Sequence, residues 1–167
     1  MVNIVPYLSV ANAKSSIETY EKVFGAKLLD RRPFNPQMGA GMGFPEDFDY
    51  ENSTMHAVVD IAGAHFYISD SPRGVSRGGA IRVLLEMDSK EQVDTVWANA
   101  LANNFTIQME LQQTFWGAYF GMLEDPDGIQ WQVTFQETPL EGAAPPPKPA
   151  AKKAAKKAKA AKKASKK

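Results

Sequence analysis

The residues able to do chemistry are few. His56 and His65 are the only imidazoles in the 167-residue sequence, which contains no cysteine. Any general base or metal site working near neutral pH must run through these two rings or through carboxylates. Thiolate ligands, cysteine nucleophiles, disulfides and zinc-finger chemistry are excluded together. The order of the remaining polar residues contains no glycine-rich phosphate loop, no Ser-His-Asp arrangement and no carboxylate pair of the glycosidase kind. What remains is a set of binding groups, Tyr7, Tyr67, Arg82, Glu86, Glu110, Trp116 and Gln132, on or beside segments with strand character.

The elements that must position these groups repeat at a period of about 75 residues, each half reading strand, helix and three strands. In the first half, residues 3–10 read as a strand. Asn12 caps a helix with Ala13, Ile17, Tyr20 and Phe24 on one face, and Gly25 stops it. Residues 26–32 form the next strand, and residues 33–53, rich in proline and glycine, read as a long irregular loop. Residues 55–61 and 64–70 make a hairpin around Ala62-Gly63. In the second half, 80–87 is a strand. Ser89 with Gln92 resembles a capping box opening a helix that buries Val93, Val96, Trp97, Ala100 and Leu101. Strands at 106–113, 118–124 and 129–135 follow, the last two joined by Asp125-Pro126-Asp127-Gly128, a strong turn signal.

Strand alternation sorts the side chains into two faces. Ile4, Leu8 and Val10 belong against a helix, leaving Val5, Tyr7 and Ser9 on the other face. A two-residue turn at Ala62-Gly63 pairs Ile61 with Ala64, Asp60 with His65, Val59 with Phe66, Val58 with Tyr67, Ala57 with Ile68 and His56 with Ser69. His56, Val58, Asp60, His65, Tyr67 and Ser69 then share the second face. Likewise Ile81, Val83, Leu85 and Met87 alternate with Arg82, Leu84 and Glu86, and Trp131, Val133 and Phe135 with Gln130, Gln132 and Thr134. On 106–113, Ile107, Met109 and Leu111 are expected inward, with Gln108, Glu110 and Gln112 on the opposite, polar face.

The Asp125-Pro126-Asp127-Gly128 turn followed by Ile-Gln-Trp-Gln-Val, with Thr19-Tyr-Glu-Lys-Val-Phe-Gly-Ala-Lys-Leu28 in the first half, resembles the glyoxalase, bleomycin-resistance and extradiol-dioxygenase (vicinal oxygen chelate) superfamily. Pro6-Tyr-Leu-Ser9, His56-Ala57, Ile61-Ala-Gly63 and Thr114-Phe-Trp-Gly117 are similar to its PhnB-like branch. The resemblance implies an α+β fold of two βαβββ modules forming an open, cup-shaped mixed β-sheet. It also implies a small-molecule ligand in the cup and modules paired within a chain or across a homodimer. Metal-dependent members place His or Glu ligands at positions that correspond here to Val5, Tyr67, Arg82 and Gln132. Valine and arginine supply no donor, so no metal or other cofactor is expected at the usual site.

His65 opposite Asp60 is either a hydrogen-bonded pair or a catalytic base oriented by a carboxylate, and His56 is either a site residue or a structural one. The two histidines lie near opposite ends of one hairpin, so one metal does not take both. Arg82 forms an internal ion pair with Glu86 or anchors an anionic ligand. Phe115-Trp116-Gly117 supplies a stacking wall or closes the core around a bulge, and Met38, Met42, Phe44 and Phe48 form a candidate lid. The leading reading is a protein that binds a polar small molecule without the family metal site. The alternative is a metal-dependent lyase, isomerase or dioxygenase with a rearranged site of His56 or His65 with Glu86 or Glu110.

The formal net charge of zero conceals a division. Residues 1–141 carry nine Lys/Arg against 19 Asp/Glu, a balance of −10, and residues 142–167 carry ten lysines and no acid. Residues 1–140 are expected to form the domain, with modules at about 1–72 and 78–138. Residues 141–167 are expected to be a disordered proline-rich linker and Lys/Ala tail. Such a tail binds nucleic acid or another polyanion by charge alone, without reading bases. No run is apolar enough for a membrane span and the first residues do not resemble a signal peptide, so a cytoplasmic protein is expected.

Overall fold

The computed structural model describes residues 4–71, 74, 78 and 80–137. The expected linker and Lys/Ala tail lie outside the described residues. Within them the chain folds as two four-stranded mixed sheets, with few helices and no closed barrel. The first sheet contains β1 (Tyr7–Val10), β2 (Lys27–Arg32), β3 (His56–Ile61) and β4 (Ala64–Asp70) in the order β1-β4-β3-β2. The second contains β5 (Val83–Glu86), β6 (Thr106–Gln113), β7 (Ala118–Glu124) and β8 (Gln130–Gln136) in the order β5-β8-β7-β6. In each, the first strand runs parallel to the last, an arrangement that requires the intervening helical crossover.

The crossovers are α1 (Ala13–Phe24) and α3 (Lys90–Ala102). Asn12 accepts from the Ser15 amide and Gly25 closes α1 in the left-handed conformation, as the residue types predict. Ser89 accepts from the Gln92 amide, but Gln92 Oε1 takes the amide of Asp88 rather than that of Ser89, shifting the reciprocal half of the capping box by one residue. The 33–53 segment is not wholly irregular. It holds a short helix, α2 (Pro36–Met42), with Asn35 as its cap, proline in its first turn and Gly43 as its left-handed terminator.

One apolar core joins the modules. Leu8, Val10, Ile17, Tyr20, Val59, Ile61, Phe66 and Ile68 of the first are continuous with Ala100, Phe105, Leu123 and Trp131 of the second. Trp131 is fully buried and stacks against Tyr20 and Phe24, with centroids at 5.4 and 4.5 Å. The sheets therefore meet through their helix-covered faces. The faces turned the other way, here termed cup faces, remain open.

Three expectations at the element ends change, and one inside a strand. Residues 3–10 shorten to β1 because Pro6 has no amide to donate, and Ile4, expected against a helix, is 97% exposed. Residues 80–87 shorten to β5, which leaves Ile81 exposed and Arg82 just outside the ladder. Leu101, near the free end of α3, is exposed rather than buried. Two register irregularities in β6 put Met109 opposite Met122, on the cup face rather than inward.

Candidate functional site

The hairpin that carries both histidines forms in the expected register, with Asp60 opposite His65, Val58 opposite Tyr67 and Ala57 opposite Ile68. Its turn places Ala62 at φ 53° and Gly63 at φ 87°, the positive pair that a two-residue turn needs to match strand twist. Because β1 pairs with β4, Tyr7 lies beside Tyr67 and Ser9 beside Ser69. Three rings consequently gather on the first cup face. His56 sits 4.8 Å from Tyr67, edge-on, and 6.0 Å from Tyr7, and the two tyrosines are 6.2 Å apart. Tyr7 is half exposed and His56 and Tyr67 are partly buried, so the trio offers aromatic faces and polar tips to the open side.

His65 is not part of this group. Its Nε2 lies 4.0 Å from Asp60 Oδ2, an ion-pair distance too long for a hydrogen bond, and the side chain is largely exposed. The other oxygen of Asp60 accepts the Gly63 amide and secures the turn. Cross-strand placement instead gives His56 a neighbour that alternation along its own hairpin could not reveal: Arg32 of β2 stands opposite it, and its Nε bonds to Asp30 at 2.9 Å. A guanidinium therefore borders the histidine on the same face.

The second cup face departs further from expectation. Leu84 of β5 is paired with Gln132, and Glu86 with Thr134. Met122 lies opposite Gln132 on one side and Met109 on the other, and Phe120 is opposite Thr134 and Gln112. The wall is therefore mixed: Leu84 and Gln132 lie on it as alternation predicts, and Met122, Met109 and Phe120 add an apolar strip to a face expected to be polar. Gln132 Nε2 points to Met122 Sδ at 3.6 Å. Trp116, 43% exposed, extends the strip at the hairpin end, 6.2 Å from Phe120 and edge-on to Phe115. Arg82 does not meet Glu86; its Nε donates to Gln130 at 2.8 Å and the rest of the side chain is exposed. Glu110, exposed, lies within the second irregularity of β6, between Met109 and Gln112.

The four positions that correspond to family metal ligands do not make a donor set. Ladder pairing brings Tyr7 to Tyr67 and Leu84 to Gln132, while Val5 has no donor and Arg82 is a cation. No group of three or more His, Asp or Glu side chains is placed to hold a metal among the described residues. These residues do not fit a divalent ion at the family position.

The turn that identifies the second module also does structural work. Asp125 is buried, and its Oδ2 accepts from Tyr20 Oη at 2.8 Å and Trp131 Nε1 at 3.0 Å. Its Oδ1 accepts the amides of Asp127 and Ile129. Burial pushes this carboxyl above its ordinary range although the donors oppose the shift, and burial with the nearby Asp125 charge pushes the Tyr20 phenol well up. Asp127 receives Ser16 Oγ and the Ala11 amide at the start of α1. Two carboxylates of one turn thus tie the second module to the first helix. The motif supplies both carboxylates, but residue type and spacing alone specify the turn and not its partners on α1.

Residues 3–133 match the family described as Glyoxalase/Bleomycin resistance protein/Dioxygenase superfamily. Protein YjdN of Escherichia coli (strain K12) is 32% identical over 140 residues, covering 77% of this chain and 91% of that protein. Among solved structures, protein PA1353 from Pseudomonas aeruginosa is similar with a TM-score of 0.64 and 27% identity, over 83% of this chain and 100% of the other. The PhnB protein from Bacillus cereus reaches a TM-score of 0.65 at 22% identity, over 80% and 99% of the two chains, a likeness of fold. No helix among the described residues is long and apolar enough to cross a membrane.

Proposed function

The chain belongs to the glyoxalase/bleomycin resistance protein/dioxygenase superfamily, and from that premise we propose that it is a cytoplasmic, homodimeric small-molecule binder that works without the family's usual metal site. The observation that carries this reading is the pair of open cup faces. One presents Tyr7, His56 and Tyr67 and the other presents Gln132, Met122, Phe120 and Trp116. Within one chain these faces have no covering layer among the described residues. A second copy supplies one: β1 and β5 are edge strands, and each displays an apolar or aromatic side chain, Tyr7 and Leu84, about half exposed. Setting the first module of one copy against the second module of its partner makes a cleft with aromatic walls and the polar tips of His56, Tyr67 and Gln132.

Sedimentation equilibrium tests the dimer, and calorimetry with metal-free and metal-supplemented protein tests the site. The expected result is a dimer whose binding of planar polar compounds is independent of added metal and lost in Tyr67→Ala. One tightly bound divalent ion per chain, lost on replacing His56 or His65, overturns the reading in favour of a metal-dependent enzyme.

A second reading concerns residues 142–167, whose ten lysines stand apart from a body of charge −10. We infer that this segment associates with duplex DNA by counterion release. It has no arginine fork to read bases and no aromatic residue to stack on single strands or anchor in a membrane interface. Gel shifts of the full chain and a 1–141 truncation decide it: binding that falls steeply with salt and vanishes on truncation is expected, and equal shifts for both proteins reject it.

A further inference from the structure

We propose that the groove between the α2 segment and the ends of β1 and β4 is a second subsite, for an uncharged apolar group such as an aromatic ring. It would receive one end of a ligand whose polar part lies on the first cup face. The inference deepens the proposed binding function and depends on it only for the ligand's polar half.

The groove has a volume of about 660 Å³ and is walled by Met42, Phe44, Pro45 and Phe48 on one side and Ser9 and Asp70 on the other. That volume falls within the roughly 300–1,000 Å³ typical of small-molecule sites. Ser9 belongs to both regions. It lines the groove, and in the β1–β4 ladder it stands beside Ser69, one alternation step from the Tyr7–Tyr67 pair. A bound molecule can therefore run from the aromatic trio into the groove without crossing a strand.

The apolar wall is built in advance. Phe44 packs on Phe34 at 5.1 Å and on Phe48 at 4.4 Å, and Phe48 packs on Tyr50 at 4.9 Å. Tyr50 in turn lies against Gly39 of α2, where a Cβ would meet its hydroxyl, so the helix is held down on the aromatic cluster. Caps at Asn35 and Gly43 fix both ends of α2. Little ordering cost remains for a ligand to meet. Met42 nevertheless stays 49% exposed at the groove, an adaptable apolar surface.

The polar side selects against anions. Both oxygens of Asp70 are engaged, Oδ1 by the Ala13 amide at 2.6 Å and Oδ2 by the Thr54 amide at 2.7 Å. The Asp70 carboxylate is thereby fixed in place on the groove wall. A carboxylate or phosphate would be repelled there, and a neutral ring would not.

The test uses N-phenyl-1-naphthylamine, a neutral aromatic dye, with the full-length protein carrying 13C-methyl methionine. The sequence has seven methionines, so Met42 in the groove and Met109 and Met122 on the second cup face report separately. Expected are saturable dye binding, a shift of the Met42 methyl, and about tenfold weaker binding in Met42→Glu. Met42 is exposed enough for the variant to fold, which thermal unfolding checks. Absence of saturable binding overturns the proposal, as does an unmoved Met42 methyl with Met109 and Met122 shifting. A loss of dye affinity in Tyr67→Ala equal to that in Met42→Glu also overturns it, because the dye then sits on the cup face. Failure to find a dimer or a polar ligand would sink the cup reading and leave the dye result standing.

Discussion

Replacing Tyr20 by phenylalanine isolates one of the contacts that join the two modules. The ring is buried against Trp131 and Phe24 and stays in place, so no cavity larger than a hydroxyl opens. What disappears is one donor to Asp125 Oδ2; Trp131 Nε1 and the amides of Asp127 and Ile129 still bond to the carboxyl. A hydrogen bond to a charged acceptor contributes about 1.5–3 kcal/mol, and phenylalanine leaves no buried donor unpaired, which puts the expected loss near 2 kcal/mol. For a domain of this size that corresponds to a fall in Tm of about 6–10 °C. Asp125→Ala should cost more, above about 4 kcal/mol, because it orphans the Tyr20 hydroxyl, the Trp131 indole and two amides at once.

Acid sharpens the test. Burial raises the folded-state pKa of Asp125 above that of the unfolded chain. The stability linked to its proton is therefore fully present below the unfolded-state value and is lost as pH rises through the folded one. The bond from Tyr20 behaves oppositely, being strongest to the ionised carboxylate. The difference between wild type and Tyr20→Phe should hence be largest near neutral pH and shrink on acidification, beginning above the usual carboxylate range. Urea unfolding followed by tryptophan fluorescence, at fixed protein concentration, measures it. A difference below about 0.5 kcal/mol at neutral pH, with the fold intact, would refute the inter-module role assigned to this bond.

Other positions give independent checks. A Cβ at Gly121 would lie 2.5 Å from Trp97 Cζ3, so Gly121→Ala should destabilise by about 1–3 kcal/mol and perturb the near-ultraviolet signal of Trp97. Ala62 occupies the left-handed region at φ 53°, and Ala62→Asn, which creates an Asn-Gly turn, should stabilise by about 0.5–1 kcal/mol in thermal unfolding. Asn12→Ala removes the acceptor for the Ser15 amide and should cost about 1 kcal/mol, measured by denaturant titration.

Much of the fold was legible because the signals were local. Asn12 and Gly25 bound α1, and the two-residue turn at Ala62-Gly63 fixed the pairing of His65 and Tyr67 with their partners. The α2 segment was harder, since a seven-residue helix with two glycines has weak propensity; only Asn35, Pro36 and Gly43 signalled it. Alternation fails on the second cup face where β6 carries its irregularities. Each inserts a residue that alternation cannot detect, which is how Met109 changes sides. For the site, alternation put His56 and Tyr67 on one face. The packing of their rings, and the arrival of Arg32 opposite His56, depend on which strands become neighbours. Arg82 and Gln130, 48 residues apart, show the same limit.

The two ties at the Asp125-Pro126-Asp127-Gly128 turn span 105 and 111 residues of chain. At about 5–20 residues per second, a ribosome needs on the order of 5–20 s after making Tyr20 to deliver its acceptor. Throughout that interval the first module is a nascent intermediate, with its aromatic underside waiting for Trp131 and its helix start waiting for Asp127. Assembly is then closed by the β7–β8 hairpin. Premature termination before that hairpin would release a polypeptide with an uncovered apolar surface, a natural substrate for chaperones or proteases.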